Sequence, residues 1–326
     1  MLSTARISAA ALLGAAASVP EVTVAAIAAR DRSRAEAFAR RNGIPAAYGG
    51  YHDLLADPNV VAVYNPLPNS LHGPWTLQAI AAGKHVLCEK PFASNTAEAA
   101  QVAEAAAASG LVVMEAMHYR YHPLIRRLAE LVARLGPVRH IQCWTSFVIA
   151  DEGDIRYDYE LGGGALMDGG CYAIDCLRLL GPGEPEVTGA LVDPVPASGR
   201  GFGPGGAVAD RAMAVRLAFA DGATAWLESA FTLDGEFRAD VHVSCARGQV
   251  WMQDFIRAHR GHLVATAEGS VVADEQGSGD TTYAWQLRAF AAAIAGGDPV
   301  PTSAQHAVGT MRLIDDGYRA AGLLPR

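Results

Sequence analysis

At 326 residues the chain is long enough for two domains of ordinary size. Apolar residues make up 51% and charged residues 18%, which excludes a disordered chain. A net charge of -8 argues against a nucleic-acid partner and against an anionic membrane surface, since both attract basic proteins.

The opening residues, "MLSTARISAAALLGAAASVP" (1–20), admit two readings. One arginine followed by a small-residue run ending at Ala15-Ala16-Ala17 resembles a short secretory signal. The same letters suit the turn and first helix of a dinucleotide-binding fold, with that helix beginning at residue 4. The polar Ser3, Thr4 and Ser8 favour the second. Beyond this stretch no uncharged apolar run approaches the ~20 residues needed to span a bilayer.

Next, "VTVAAIAAR" (22–30) reads as a strand, followed by a charged helix that stops at Asn42-Gly43. "VVAVYNP" (60–66) is a buried strand, and a helix over 71–82 ends at Gly83. "HVLCEKP" (85–91) is another strand. Asn95 with Glu98 predicts a capping box at the next helix, and "LVVMEAM" (111–117) is the strand after it. Such alternation, with strands apolar throughout, predicts a parallel sheet covered on both faces.

After residue 121 the rhythm changes. A helix near 123–135 leads into the alternating runs "HIQCWTSFVI", "RAMAVRLAFADGATAWLESAFT" and "ADVHVSCARGQVWMQ". Asp221-Gly222 is a strong hairpin turn, so these runs predict an antiparallel sheet with one face open to another surface. "DPVPASGRGFGPGG" (193–206) reads as a loop. Helices over 282–296 and 303–321 close the chain, the second capped by Ser303. The five cysteines contain no CxxC pair, which fits small buried hydrophobes in a reducing cytoplasm and offers no metal site.

Chemistry concentrates in three stretches. In "AGKHVLCEKPFASN" (82–95), Lys90 stands between Glu89 and Pro91 at the carboxyl end of a parallel strand, where ligands sit in open α/β sheets. In "NPLPNSLH" (65–72) prolines hold the chain extended over the same crevice, which makes Pro66, Leu67, Asn69 and His72 candidate cofactor contacts. In "DIRYDYELGGGALMDGGCYAIDCLRLLG" (154–181) three glycines permit close backbone approach, and a helix sets Asp168, Tyr172 and Asp175 at i, i+4 and i+7 on one face.

"EKP", "GGGALMDGGCY" and "MEAMHYRYHP" (114–123) together resemble the glucose–fructose oxidoreductase, inositol dehydrogenase and MocA (Gfo/Idh/MocA) family over nearly the whole chain. The resemblance implies an α/β protein: a Rossmann domain over 1–120, then an α+β domain over 121–326 whose large, mostly antiparallel open sheet mediates a homodimer or homotetramer. It implies a cis peptide before Pro91. It also implies that Lys90 is the catalytic lysine, with Tyr172 and Asp168 beside the substrate and Arg120 and Arg156 as further substrate contacts. Tyrosine at 172 resembles the glucose–fructose oxidoreductase and dihydrodiol dehydrogenase branch. The chemistry is coherent, because an ammonium stabilises a phenolate and so favours proton removal from a substrate hydroxyl.

Within this resemblance "LSTARIS" (2–8) starts at the phosphate-binding turn, with Ser3 and Ala5 at fingerprint glycine positions and the first strand apparently missing. Its loss would leave neighbouring strands ~10 Å apart, and the expectation is a chain truncated relative to its open frame. Ser3, Thr4, Ala5, Arg6 and Ile7 are then expected at the pyrophosphate, together with Glu89 and Lys90 at the cofactor. Arg30 precedes Asp31 where NAD sites carry an acidic residue first, and Arg34 lies one helical turn on, so NADP is favoured with NAD open. The expected activity is hydride transfer between NADP and a secondary alcohol or ketone of a sugar, cyclic polyol or dihydrodiol. Keto-reduction of nucleotide-linked sugars and a non-catalytic cofactor-binding regulator are the alternatives.

Overall fold

The computed structural model of the chain describes residues 1–151, 153–195, 201–204 and 207–326. Packing divides it into two compact units, Met1–His118 with Tyr283–Val308, and Tyr119–Thr282 with Gly309–Arg326. Tyr283–Val308, assigned from sequence to the second domain, therefore counts with the first. The reason is backbone pairing at a distant strand: Glu115 N donates to Thr302 O at 2.8 Å, and Thr302 Oγ1 donates to Glu115 O at 2.8 Å.

In the first unit β1 (Ala26–Ala28) pairs in parallel with β2 (Ala46–Tyr48). A second parallel row runs β3 (Ala62–Asn65), β4 (His85–Cys88), β5 (Val113–Glu115). Helices α1 (Arg32–Asn42), α2 (Tyr51–Leu55), α3 (His72–Ala81) and α4 (Thr96–Ser109) alternate with the strands. Their ends follow local chemistry. Gly43 closes α1 at φ 66, and Asn95 Oδ1 accepts from Glu98 N at 2.9 Å to start α4. Glu98 answers by accepting from Ser94 N at 2.7 Å, one residue earlier than a standard capping box. The sequence reading passed over β2 and α2, which are too short to show a period.

Where the first strand was expected to be missing, the described residues form none, and residues 1–3 supply only a brief bridge. Met1 donates its amino group to Ala26 O at 2.7 Å, and Ala28 N donates to Met1 O at 3.0 Å. On the other side Leu2 N donates to Tyr64 O at 3.0 Å, and Ser3 N returns to Ala28 O at 2.8 Å. Residues 1–3 thus bridge the β2-β1 pair and the β3-β4-β5 row at one end, in doubly wound order, without forming a strand between them. The pairing is brief. Beside Met1, residues 22–26 and 59–62 line an apolar cavity of about 430 Å³, so the strand expected over 22–30 forms only at Ala26–Ala28. Burial pulls the Met1 amino group down to about 5. The first helix begins later than expected, as a π-helical turn over Ala9–Gly14.

The second unit is built on an eight-stranded sheet of order β13-β12-β11-β10-β6-β9-β8-β7. Its strands are β6 (Val138–Val148), β7 (Glu186–Pro194), β8 (Asp210–Ala218), β9 (Thr224–Thr232), β10 (Arg238–Cys245), β11 (Gly248–Gln253), β12 (His262–Ala267) and β13 (Ser270–Gln276). Every neighbouring pair is antiparallel except β6 with β9. Asp221-Gly222 makes the predicted turn, with Asp221 Oδ1 accepting from Ala223 N at 3.0 Å. Helices α5 (Pro123–Arg134) and α6 (Cys171–Leu180) pack on the sheet, burying Ile141, Cys143 and Thr145 of β6 while Gln142 and Trp144 point away. The chain closes with α7 (Thr282–Ile294) and α8 (Ala304–Ala320), and Ser303 Oγ accepts from His306 N. Of the expected loop 193–206, residues 196–200 and 205–206 lie outside the described residues. Among the described residues no helix is long and apolar enough to cross a membrane.

Candidate functional site

At the turn after the short N-terminal pairing, Ser3 adopts φ 68, the left-handed region that favours glycine. This is where the sequence reading expected a fingerprint glycine. Ser3 Oγ accepts from Ala5 N at 3.3 Å, and Thr4 Oγ1 accepts from Arg34 at 3.3 Å. Arg6 and Ile7 are exposed beyond them. The turn therefore presents backbone and one cationic side chain together, as a pyrophosphate requires.

Asp31 does not reach outward. Its carboxylate caps α1, accepting from Ser33 N at 2.8 Å, Ser33 Oγ at 2.8 Å and Arg34 N at 3.4 Å. The Ser33 hydroxyl and these amides hold its carboxyl below the usual range. Arg30 and Arg34 stay exposed, while Arg32 pairs with Glu36 at 2.9 Å. The end of β1 thus offers guanidinium rather than carboxylate, which fits a 2′-phosphate.

The carboxyl ends of β3 and β4 are tied together below Lys90. Asn65 Nδ2 donates to His72 O at 3.0 Å and to Thr76 Oγ1 at 3.2 Å, and Asn65 Oδ1 accepts from Leu67 N at 3.4 Å. The His72 ring spans two loops, with Nδ1 2.7 Å from Pro91 O and Nε2 2.7 Å from Leu67 O. Burial, helped by the Lys90 ammonium and opposed by the carbonyls, pulls His72 down to about 4. The neutral ring donates to one carbonyl at a time. Pro66 and Leu67 are buried, and Asn69 opens a single 3₁₀ turn.

Glu89 is buried and accepts from the Tyr64 hydroxyl at 2.7 Å; its other oxygen accepts from Lys90 N at 3.3 Å. Burial and that carboxylate push the Tyr64 phenol well up, so it remains a donor. Phe92 N donates to Glu115 Oε1 at 3.0 Å beyond the cis Lys90–Pro91 bond. Lys90 is thereby fixed at its backbone while its side chain stays partly exposed. Tyr64 and Glu115 were missed from sequence, because each reads as an ordinary strand residue.

In the second unit the glycine segment leads into a π-helical turn, Leu166–Gly170, ahead of α6. The wider turn breaks the expected single face. Asp168 lies against Arg156, whose Nε donates to it at 2.9 Å while Nη1 reaches Asp154 at 3.1 Å. Tyr172 is buried, with its ring 6.1 Å from that of Tyr119 in an edge arrangement. Asp175 is turned elsewhere: it accepts from the Tyr119 hydroxyl at 2.5 Å and from Arg120 at 3.0 Å.

Arg120, expected as a substrate contact, is drawn to this carboxylate. Its side chain is 11% exposed and pairs with Asp175. Burial works against its charge, but the carboxylate outweighs that and raises it. Arg156 remains a candidate at 36% exposure, holding Asp168.

The sequence profile described as an oxidoreductase family with an NAD-binding Rossmann fold, GFO_IDH_MocA, matches residues 4–117. The GFO/IDH/MocA C-terminal domain profile matches residues 125–251. D-xylose 1-dehydrogenase (NADP(+)) 2 of Haloferax volcanii is 38% identical over 314 residues, covering 92% of this chain and 90% of that protein. Trans-1,2-dihydrobenzene-1,2-diol dehydrogenase of Sus scrofa is 38% identical over 174 residues, 52% of each chain. A 3-ketoreductase from Actinomadura kijaniata, solved with NADP and TDP-benzene, superposes at a TM-score of 0.85 and 28% identity, covering 96% of this chain and 94% of that one.

Proposed function

The chain belongs to the Gfo/Idh/MocA oxidoreductase family, and from that premise we propose that it is an NADP-dependent dehydrogenase of an aldose or related sugar. The observation that carries this reading is Lys90 at the carboxyl end of β4, its backbone fixed through Glu89 and the His72–Pro91 bond. When bound, NADP supplies the hydride acceptor, so that alcohol and oxidised cofactor become carbonyl, reduced cofactor and a proton. Lys90 offers the positive charge that favours an alkoxide. Tyr172 offers the hydroxyl through which the proton passes, and Asp168, oriented by Arg156, accepts from a further sugar hydroxyl. Arg30 and Arg34 receive the 2′-phosphate, and the 3–7 turn receives the pyrophosphate. Pro66, Leu67, Asn69 and His72 border the nicotinamide side.

Reduction of a nucleotide-linked keto-sugar is the second reading, favoured by the superposition on the Actinomadura reductase. The open sheet face carrying Trp144, Trp226 and Trp251 suits a homo-oligomer, and five free thiols suit the cytoplasm. The deciding assay follows NADPH absorbance with D-xylose and other aldoses in one direction and a dTDP-linked keto-sugar in the other. Aldose oxidation supports the first reading and keto-sugar reduction alone the second. NADPH binding without any turnover would leave only a regulator.

A further inference from the structure

Away from the groups just assigned, the second unit buries a second arginine–aspartate pair. Arg326 is 3% exposed and Asp210 fully buried. The guanidinium donates to Gly163 O from Nε at 3.1 Å and from Nη2 at 2.7 Å, and to Val208 O from Nη1 at 3.0 Å. Nη2 also lies 3.4 Å from Asp210 Oδ1 and 3.1 Å from the Tyr318 hydroxyl. Tyr318 in turn donates to Asp210 Oδ1 at 2.6 Å. The rings of Tyr159 and Tyr318 each lie 4.5 Å from the guanidinium carbon.

The Arg326 and Asp210 side chains converge on one segment. Asp210 Oδ2 accepts from Leu166 N at 2.7 Å, while Gly163 O takes both guanidinium bonds. Gly163 N donates to Asp158 O at 2.8 Å and Gly164 N to Arg156 O at 2.9 Å, so the loop lies on the backbone of the residue that grips Asp168. Asp168 N then bonds Gly164 O at 2.9 Å. A Cβ on Gly164 would fall against Asp210, Arg326 and Tyr318, which is why this approach requires glycine.

We propose that Arg326, Asp210 and Tyr318 are positioning residues, a buried latch that clamps the glycine loop Gly162–Gly164 and so fixes Asp168 and Arg156 for the sugar. The substrate part rests on the role given to Asp168 above. Stability by itself does not call for this arrangement, since a buried ion pair is often replaceable by apolar side chains. A planar fork holding two carbonyls and a carboxylate instead sets direction.

The test uses the full chain with Arg326→Ala and Arg326→Lys. Amide hydrogen exchange at Gly163, Gly164 and Leu166 should accelerate in both. The kcat/KM for the sugar should fall on the order of tenfold or more, as misplaced contacts produce, while the NADPH dissociation constant stays within about twofold. Millimolar methylguanidinium should restore part of the loss in Arg326→Ala only. Unchanged exchange overturns the latch. Faster exchange with unchanged kcat/KM overturns its positioning role. Faster exchange in a protein whose wild type turns over no sugar supports the latch and sinks the functional reading instead. If the alanine variant does not fold, the lysine variant decides, because it keeps the charge and loses the fork.

Discussion

Around Lys90, in the first unit, the backbone is held by uncharged donors: the Asn65 amide, the His72 ring, and the Tyr64 hydroxyl on Glu89. Around Tyr172, in the second, the aspartates at 168, 175 and 210 each face an arginine. Neutral bonding sets the backbone around the charged Glu89 and Lys90. Ion pairs in the second unit instead hold acidic groups in fixed directions at a desolvation cost, and they tolerate the loss of one partner poorly. One region builds its framework from neutral donors, and the other from charge.

The hardest blow to this contrast comes from Asp175→Ala. It leaves the Arg120 guanidinium buried without its carboxylate and should cost about 3–5 kcal/mol in urea unfolding. His72→Asn, which removes a neutral bridge, should cost about 1–3 kcal/mol. Equal costs would erase the distinction.

His72 sharpens it through pH. Its folded value near 4 lies below the ordinary 6.5, so the unfolded chain binds the proton first as pH falls. Stability should therefore decline between pH 6.5 and 4, by roughly 3 kcal/mol at about 1.4 kcal/mol per unit of depression. His72→Asn should flatten that part of the profile; an unchanged slope would assign it to other groups.

Lys90→Met and Tyr172→Phe should each lower turnover by at least ~100-fold with NADPH binding intact. Near-normal turnover in both variants would remove the chemistry from these positions. The smallest effect is expected at the exposed edge of the first unit. Arg30→Ala should weaken NADPH about tenfold more than NADH, because only the former loses a phosphate–guanidinium pair. Equal weakening in a fluorescence titration would show that Arg30 does not read the 2′-phosphate.

Much of the first unit is legible from its letters. Short apolar runs separated by capped helices dictate a parallel sheet, and Asn95, Gly43 and Gly83 mark helix ends through bonds or φ angles formed within a few residues. Lys90 falls at a strand's carboxyl end for the same local reason, and the Asp221-Gly222 turn and the long strands around it follow from alternation.

Tertiary structure decided what those letters meet. Met1–Ser3 bridge β1 and Tyr64 at one end of the sheet, although two or three residues carry no strand pattern. The π-helical turn at Leu166–Gly170 parts Asp168 from Asp175, which an ideal helix would have aligned. Tyr64 with Glu89, Arg120 with Asp175 and Arg326 with Asp210 join positions 25, 55 and 116 residues apart. Capping, turns and periodicity arise between near neighbours and so are written in order along the chain. A buried charge selects its partner by the cost of leaving water unpaired, and only the folded arrangement determines which opposite group is within reach.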